Sequence, residues 1–191
     1  MLEGNKKTEK HLHLGCGGTY LDGWVNVDKF DYVKGDTSRT NSKYDVRADL
    51  LALPFKDNCI DTVLTVHVLE HFYRWDTIDI LSDIYRTLKT GGYLVIEMPD
   101  LDMCIRWYID AKYDRHSGRT IKTPLGRLNK GFTQFFGNQW SRLEYETHKY
   151  LWSKSEIKEV LGKIGFKIID IDNRVFFHMQ HRDLRCIAIK E

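Results

Sequence analysis

Residues His11 to Phe30, HLHLGCGGTYLDGWVNVDKF, place a glycine turn between two short apolar runs and close the second run with a carboxylate. Leu12 and Leu14 lead into Gly15-Cys16-Gly17-Gly18, a turn that can bring bare backbone against a ligand because glycine has no Cβ to collide with it. Trp24, Val25 and Val27 have strand propensity and lead to Asp28. A carboxylate at such a strand tip is placed to accept hydrogen bonds from both ribose hydroxyls of a nucleoside. A second chemically capable group is His67-Val68-Leu69-Glu70-His71. Its H-x-x-E-H spacing is that of inverzincins, in which two histidines four apart on a helix bind zinc and the glutamate acts as base. His67 ends an apolar, strand-like run, so helical geometry for the pair is not assured, and a zinc hydrolase stands as the alternative from another class. His71 can instead serve as a general base, or orient a loop from behind it. Asp100 either binds an acceptor hydroxyl or caps the helix that follows.

The elements that position these residues alternate. Tyr44 to Leu50 suggests a strand, and Ile60 to Val68 is a near-continuous apolar run expected of a central parallel strand. Ile78, Ile80, Leu81, Ile84, Tyr85 and Leu88 recur at helical spacing between Asp76 and Lys89, with Gly91 and Gly92 as a stop, before the strand Tyr93 to Met98. Leu101 to Tyr113 reads as helix, and Asp114 to Asn138 as a long, glycine-dotted insertion. A Ser153-x-x-Glu156 capping box opens a helix that ends at Gly165, and strands at Lys167 to Ile171 and Leu184 to Lys190 follow, the latter antiparallel. The fold class is therefore α/β, a single Rossmann-like domain over residues 1–191 with helices on both faces of a mostly parallel sheet. Ligands of such sheets sit beyond the carboxyl ends of the strands.

Composition narrows the partners. With 29 basic and 27 acidic residues the net charge is +2, which gives no electrostatic case for nucleic acid. Residues 1–10 are polar and read as a flexible terminus, and no apolar stretch approaches a membrane span of roughly 20 residues. Four widely spaced cysteines argue against a zinc ribbon or a disulfide framework, so a cytoplasmic setting is expected and no bound metal.

LGCGG at Leu14 to Gly18, GWVNVD at Gly23 to Asp28, ADLLALPF at Ala48 to Phe55, HVLEHF at His67 to Phe72, LKTGGYL at Leu88 to Leu94 and MPDL at Met98 to Leu101 together resemble the class I S-adenosylmethionine-dependent methyltransferases. The resemblance is strongest to a small branch often associated with glycan or surface-polysaccharide genes. It implies a seven-stranded sheet with a reversed final hairpin and S-adenosylmethionine as cofactor. Gly15, Cys16, Gly17 and Gly18 would wrap the methionine part, Asp28 would hold the ribose, Asp49 and Leu50 would meet the adenine edge, and His67 would lie near the reacting centre. Ten positions separate Gly18 from Asp28, too few for the long first helix of most relatives. His148, in HKYLW, falls on the acceptor side, and residues 101–150 read as a lid over a small-molecule or glycan-type acceptor. A module that binds the nucleoside without catalysis is the other alternative.

Overall fold

The apolar runs become seven strands in one sheet. The computed structural model describes residues 9–29, 43–110, 134–137 and 143–191. Its strands are β1 (His11–Leu14), β2 (Val25–Asp28), β3 (Val46–Arg47), β4 (Ile60–Val66), β5 (Leu88–Pro99), β6 (Phe166–Asp172) and β7 (Asp183–Lys190), in the order β3-β2-β1-β4-β5-β7-β6. β1 pairs in parallel with β2 and β4, β2 with β3, and β4 with β5. β7 runs antiparallel between β5 and β6, as the reversed final hairpin requires.

Among the described residues, the helices α1 (Arg74–Thr87), α2 (Leu101–Asp110) and α3 (Lys154–Ile164) flank these strands. α1 buries Thr77, Ile80, Leu81 and Ile84, and α3 buries Ile157, Val160 and Leu161, each set spaced by three or four residues. These stripes meet Leu12, Leu14, Val27, Val63, Leu94 and Ile96 of the sheet in one apolar core. Ser153 Oγ caps α3 by accepting from Glu156 N at 3.2 Å. The glutamate does not return the bond; its carboxylate accepts instead from Arg74 Nε and the Tyr150 hydroxyl, both at 2.8 Å.

Several boundaries differ from the sequence expectation. β3 holds two residues rather than the whole of 44–50, because the Asp49 side chain caps a 3-10 turn over Leu50–Ala52 and ends the strand. β4 stops at Val66, since His67 adopts a left-handed φ of 53°. α1 ends at Thr87 and Leu88 enters β5 directly, so Gly91 and Gly92 lie inside a strand and not after a helix. The ladder registers this as a slip: Ile60 pairs with Leu88, but Thr62 pairs with Tyr93. From Leu14 to Val25 the chain passes through turns without a helix, as the short spacing demands.

At the far end of β7, Lys190 is buried and its Nζ donates to the carbonyls of Tyr85 at 2.7 Å and Leu88 at 2.8 Å and to Asn58 Oδ1 at 2.9 Å. The strand thus holds the carbonyl end of α1. All four cysteines are free. Among the described residues no helix is long and apolar enough to cross a membrane. The expected flexible terminus, apart from residues 9 and 10, and most of the expected lid, at 111–133 and 138–142, lie outside the described residues.

Candidate functional site

The glycine turn is laced to the tip of β2. Gly15 N and Cys16 N both donate to Val27 O, at 2.8 and 3.1 Å. Gly17 N donates to Asp28 Oδ2 at 2.8 Å, and Lys29 N to Asp28 Oδ1 at 2.7 Å. The carboxylate therefore faces the turn at the carboxyl ends of β1 and β2, where the sequence places it. Gly15 sits at φ 65°, and a Cβ there would stand 2.4 Å from Val68 Cγ2. Gly15→Ala is expected to cost at least about 2 kcal/mol of stability, from left-handed backbone and overpacking together. A denaturant titration checks it, and adding Val68→Ala should recover the steric part. A midpoint unchanged from the parent would show that the turn relaxes freely.

Cys16 is buried, and burial together with the Asp28 charge pushes its thiol up to about 12, which removes it as a nucleophile at neutral pH. Gly18 is exposed. Asp49 Oδ1 accepts from Leu51 N at 3.1 Å and Oδ2 pairs with Lys29 Nζ at 2.6 Å, so Lys29 bridges the tips of β2 and β3. That lysine holds the Asp49 carboxyl below its ordinary value. Leu50 is buried directly behind it.

His67 is clasped between two buried carboxylates. Its Nδ1 lies 2.9 Å from Glu70 Oε1 and its Nε2 2.8 Å from Asp183 Oδ2. Burial opposes charge on the ring, yet the two carboxylates prevail and raise its pKa to about 9. Burial likewise opposes ionisation of Glu70, and the His67 charge overcomes it and brings the carboxyl to about 2. Asp183 is held still further below its ordinary range by His178, His67 and Arg182, against its burial. Arg182 Nε pairs with Asp183 Oδ1, and Met179 N donates to Oδ2 at 3.0 Å. With both ring nitrogens engaged, His67 carries charge and holds loops rather than exchanging a proton.

His71 and His148 come together from distant parts of the chain, with ring centroids 5.1 Å apart and edge to face. The backbone explains the meeting. Lys149 N and Tyr150 N both donate to Glu70 O, at 2.7 and 3.2 Å, which ties residues 149–150 to the 3-10 turn Leu69–His71. On the other side His148 N donates to Phe136 O at 3.1 Å. Gly137, at φ 69°, permits this approach, for a Cβ there would stand 2.0 Å from Glu146 O. His148 is held neutral, at about 4, chiefly by burial, which outweighs the nearby Glu70 carboxylate.

Asp100 is fully buried and does not join this group. Its Oδ1 accepts from Asp102 N at 3.1 Å, while Oδ2 accepts from Asn173 Nδ2 and pairs with Lys154 Nζ, both at 2.9 Å. Capping α2 is therefore the role its contacts support. The hydrolase motif is not assembled: His67 leaves a strand in left-handed conformation and His71 ends a 3-10 turn, so the two rings join separate clusters. Sequence reasoning missed His178, Arg182 and Asp183. The signal was there, in an acid and a base opening the apolar run of β7.

Residues 12–96, from β1 into β5, match the family model described as a methyltransferase domain. A protein of Mycolicibacterium smegmatis named as an S-adenosylmethionine-dependent methyltransferase is 30% identical over 98 residues, covering 47% of this chain and 37% of that protein. An uncharacterised protein of Methanocaldococcus jannaschii is 34% identical over 109 residues, covering 53% and 46%. The chain thus spans less than half the length of these two relatives. A crystal structure of an S-adenosylmethionine-dependent methyltransferase from Methanosarcina mazei superposes with a TM-score of 0.62 at 15% identity, over 97% of this chain and 93% of that one. The described residues thus share that Rossmann-like fold, while His148 and the α3-β6-β7 region lie beyond the segment matched by the family model.

Proposed function

We propose that the protein is an S-adenosylmethionine-dependent methyltransferase acting on an oxygen or nitrogen of a small-molecule or glycan-type acceptor. The observation that carries this reading is the tie between Gly17 N and Asp28 Oδ2 at the tips of two parallel strands, beside Asp49 at the tip of the third. Backbone and carboxylate are there arranged for a nucleoside, and the helix-free connection from β1 to β2 offers no helix N-terminus for a pyrophosphate. Bound S-adenosylmethionine supplies a methyl group already activated on sulfur. Asp28 would accept from the ribose hydroxyls, Asp49 and the Leu50 backbone would meet the adenine, and the turn Gly15–Gly18 would wrap the methionine end.

His67 holds Glu70 and the loop before β7 in position, and the paired rings of His71 and His148 are the side chains placed to act on the acceptor proton. Asp100 sets the start of α2 and so the direction in which the acceptor-side segment leaves the sheet. Calorimetry with S-adenosylhomocysteine, followed by an acceptor screen with labelled methyl donor, tests the reading. His148→Ala should lower turnover by roughly 100-fold or more and change S-adenosylhomocysteine affinity by less than about threefold. Binding without transfer to any acceptor class would leave a nucleoside-binding module, and absence of binding would overturn the proposal.

A further inference from the structure

Glu70, His71 and His148 offer one potential donor atom each, and these atoms lie within 4.8 Å of one another. Both imidazoles spend Nδ1 on a backbone carbonyl: His71 on Thr147 O at 3.1 Å and His148 on Gln134 O at 3.2 Å. A carbonyl oxygen only accepts, so Nδ1 carries the hydrogen and, in each neutral ring, Nε2 keeps a lone pair. Metal-ligating histidines are oriented in this way, with the nitrogen remote from the metal donating to a carbonyl or carboxylate. Glu70 supplies the independent observation. Its side chain is fully buried; Oε1 is paired with the His67 ring at 2.9 Å, and Oε2 has no hydrogen-bond partner. A buried carboxylate oxygen left without a donor is costly, and because Glu70 shares the His67 charge with Asp183, a carboxylate beside two imidazole lone pairs can take a further cation.

We propose that Glu70, His71 and His148 form a binding site for a divalent first-row transition metal, with Zn²⁺ the ion of best fit. Two imidazoles and one carboxylate are a donor set that zinc takes when it keeps a fourth position open. Bond lengths of about 2.0–2.1 Å hold such donors roughly 3.4 Å apart, so from separations within 4.8 Å no pair need close by more than about 1.4 Å on loading. The second cluster, His67, His178 and Asp183, does not suit a cation. Arg182 already stands there, its Nη2 3.4 Å from His67 Nε2 and 3.3 Å from His178 Nδ1. Metal binding at Glu70, His71 and His148 does not depend on the methyl-transfer reading. If both hold, the rings are ligands rather than bases, and an acceptor hydroxyl in the open position is acidified by the metal and releases its proton to water.

The test uses the full chain, freed of any affinity tag and stripped with chelator. Zn²⁺ titrated in competition with a chromophoric chelator should bind at one equivalent per chain and raise the unfolding temperature, whereas Mg²⁺ at equal concentration should do neither. His71→Ala and His148→Ala should each weaken Zn²⁺ binding at least about 10-fold, while His178→Ala leaves it within threefold. His71→Gln and His148→Gln repeat the comparison should an alanine variant fail to fold. No stoichiometric Zn²⁺ on the parent chain overturns the proposal, as does loss of the ion in His178→Ala alone. Methyl transfer is measured separately on metal-free and loaded protein, so either reading can fail without the other.

Discussion

Gly17→Val should lose S-adenosylhomocysteine binding by more than about 100-fold, equivalent to roughly 3 kcal/mol, while the protein stays folded. Gly17 sits at φ 54°, in the left-handed region where a β-branched residue is strained. Its amide is the one that reaches Asp28 Oδ2, so any shift that relieves the strain also swings the ribose carboxylate away from its seat. The branched side chain would in addition fill space where the ligand must approach bare backbone. Calorimetry reads the loss, and thermal unfolding confirms that the sheet survives. Binding within threefold of the parent, in a folded variant, would mean that the turn only shapes the chain and that the cofactor lies elsewhere.

His67→Ala should destabilise the protein by about 3–5 kcal/mol, because it leaves two buried carboxylates without the cation that lies between them. The pH dependence distinguishes this from a packing loss. His67 titrates at about 9 in the folded chain against an ordinary 6.5. A pKa raised by folding contributes stability that is complete below about 6.5 and fades as pH climbs through 9. Measured in chelator, the parent should therefore lose about 3 kcal/mol between pH 6.5 and 9 that the variant does not lose. Glu70 acts in the opposite sense, its contribution complete above about 4.5 and lost as pH falls through 2. Parallel stability curves for parent and variant on the alkaline side would show that His67 is neutral in its clasp.

The strand tips were legible because their signals are local. A glycine turn after an apolar run, a carboxylate closing the next run, and a serine three residues before a glutamate each act within one turn of chain. Alternation pointed to a mostly parallel sheet, the resemblance added seven strands and a reversed final hairpin, and the order of the strands was not read. What escaped was long-range. Asp49 ended β3 by capping a turn, an outcome that strand propensity does not encode. His71 and His148 each stood out as a candidate, but their contact did not, since His148 is brought in by backbone bonds from Lys149 and Tyr150 to Glu70. Of the two roles open to Asp100, its contacts favour capping, because Asn173 and Lys154, both over fifty residues away, hold its other oxygen. Asp183 is 116 positions from His67, and no periodicity links them.

The place of β7 bears on how the chain is made. Translation delivers β5 long before residues 183–190, yet β5 finds its antiparallel partner only in that later strand, and β6 joins the sheet only through it. Until then β5 is an edge with open amides and carbonyls, and the last turn of α1 lacks the ammonium of Lys190. The half that carries the proposed nucleoside site, β1 to β4, can pair as it emerges, whereas the Asp183 carboxylate that clasps His67 arrives with β7. A growing chain can therefore build its cofactor cradle early and its charged clasp late. A stalled or truncated product would carry the first without the second, with a sticky strand exposed to its neighbours.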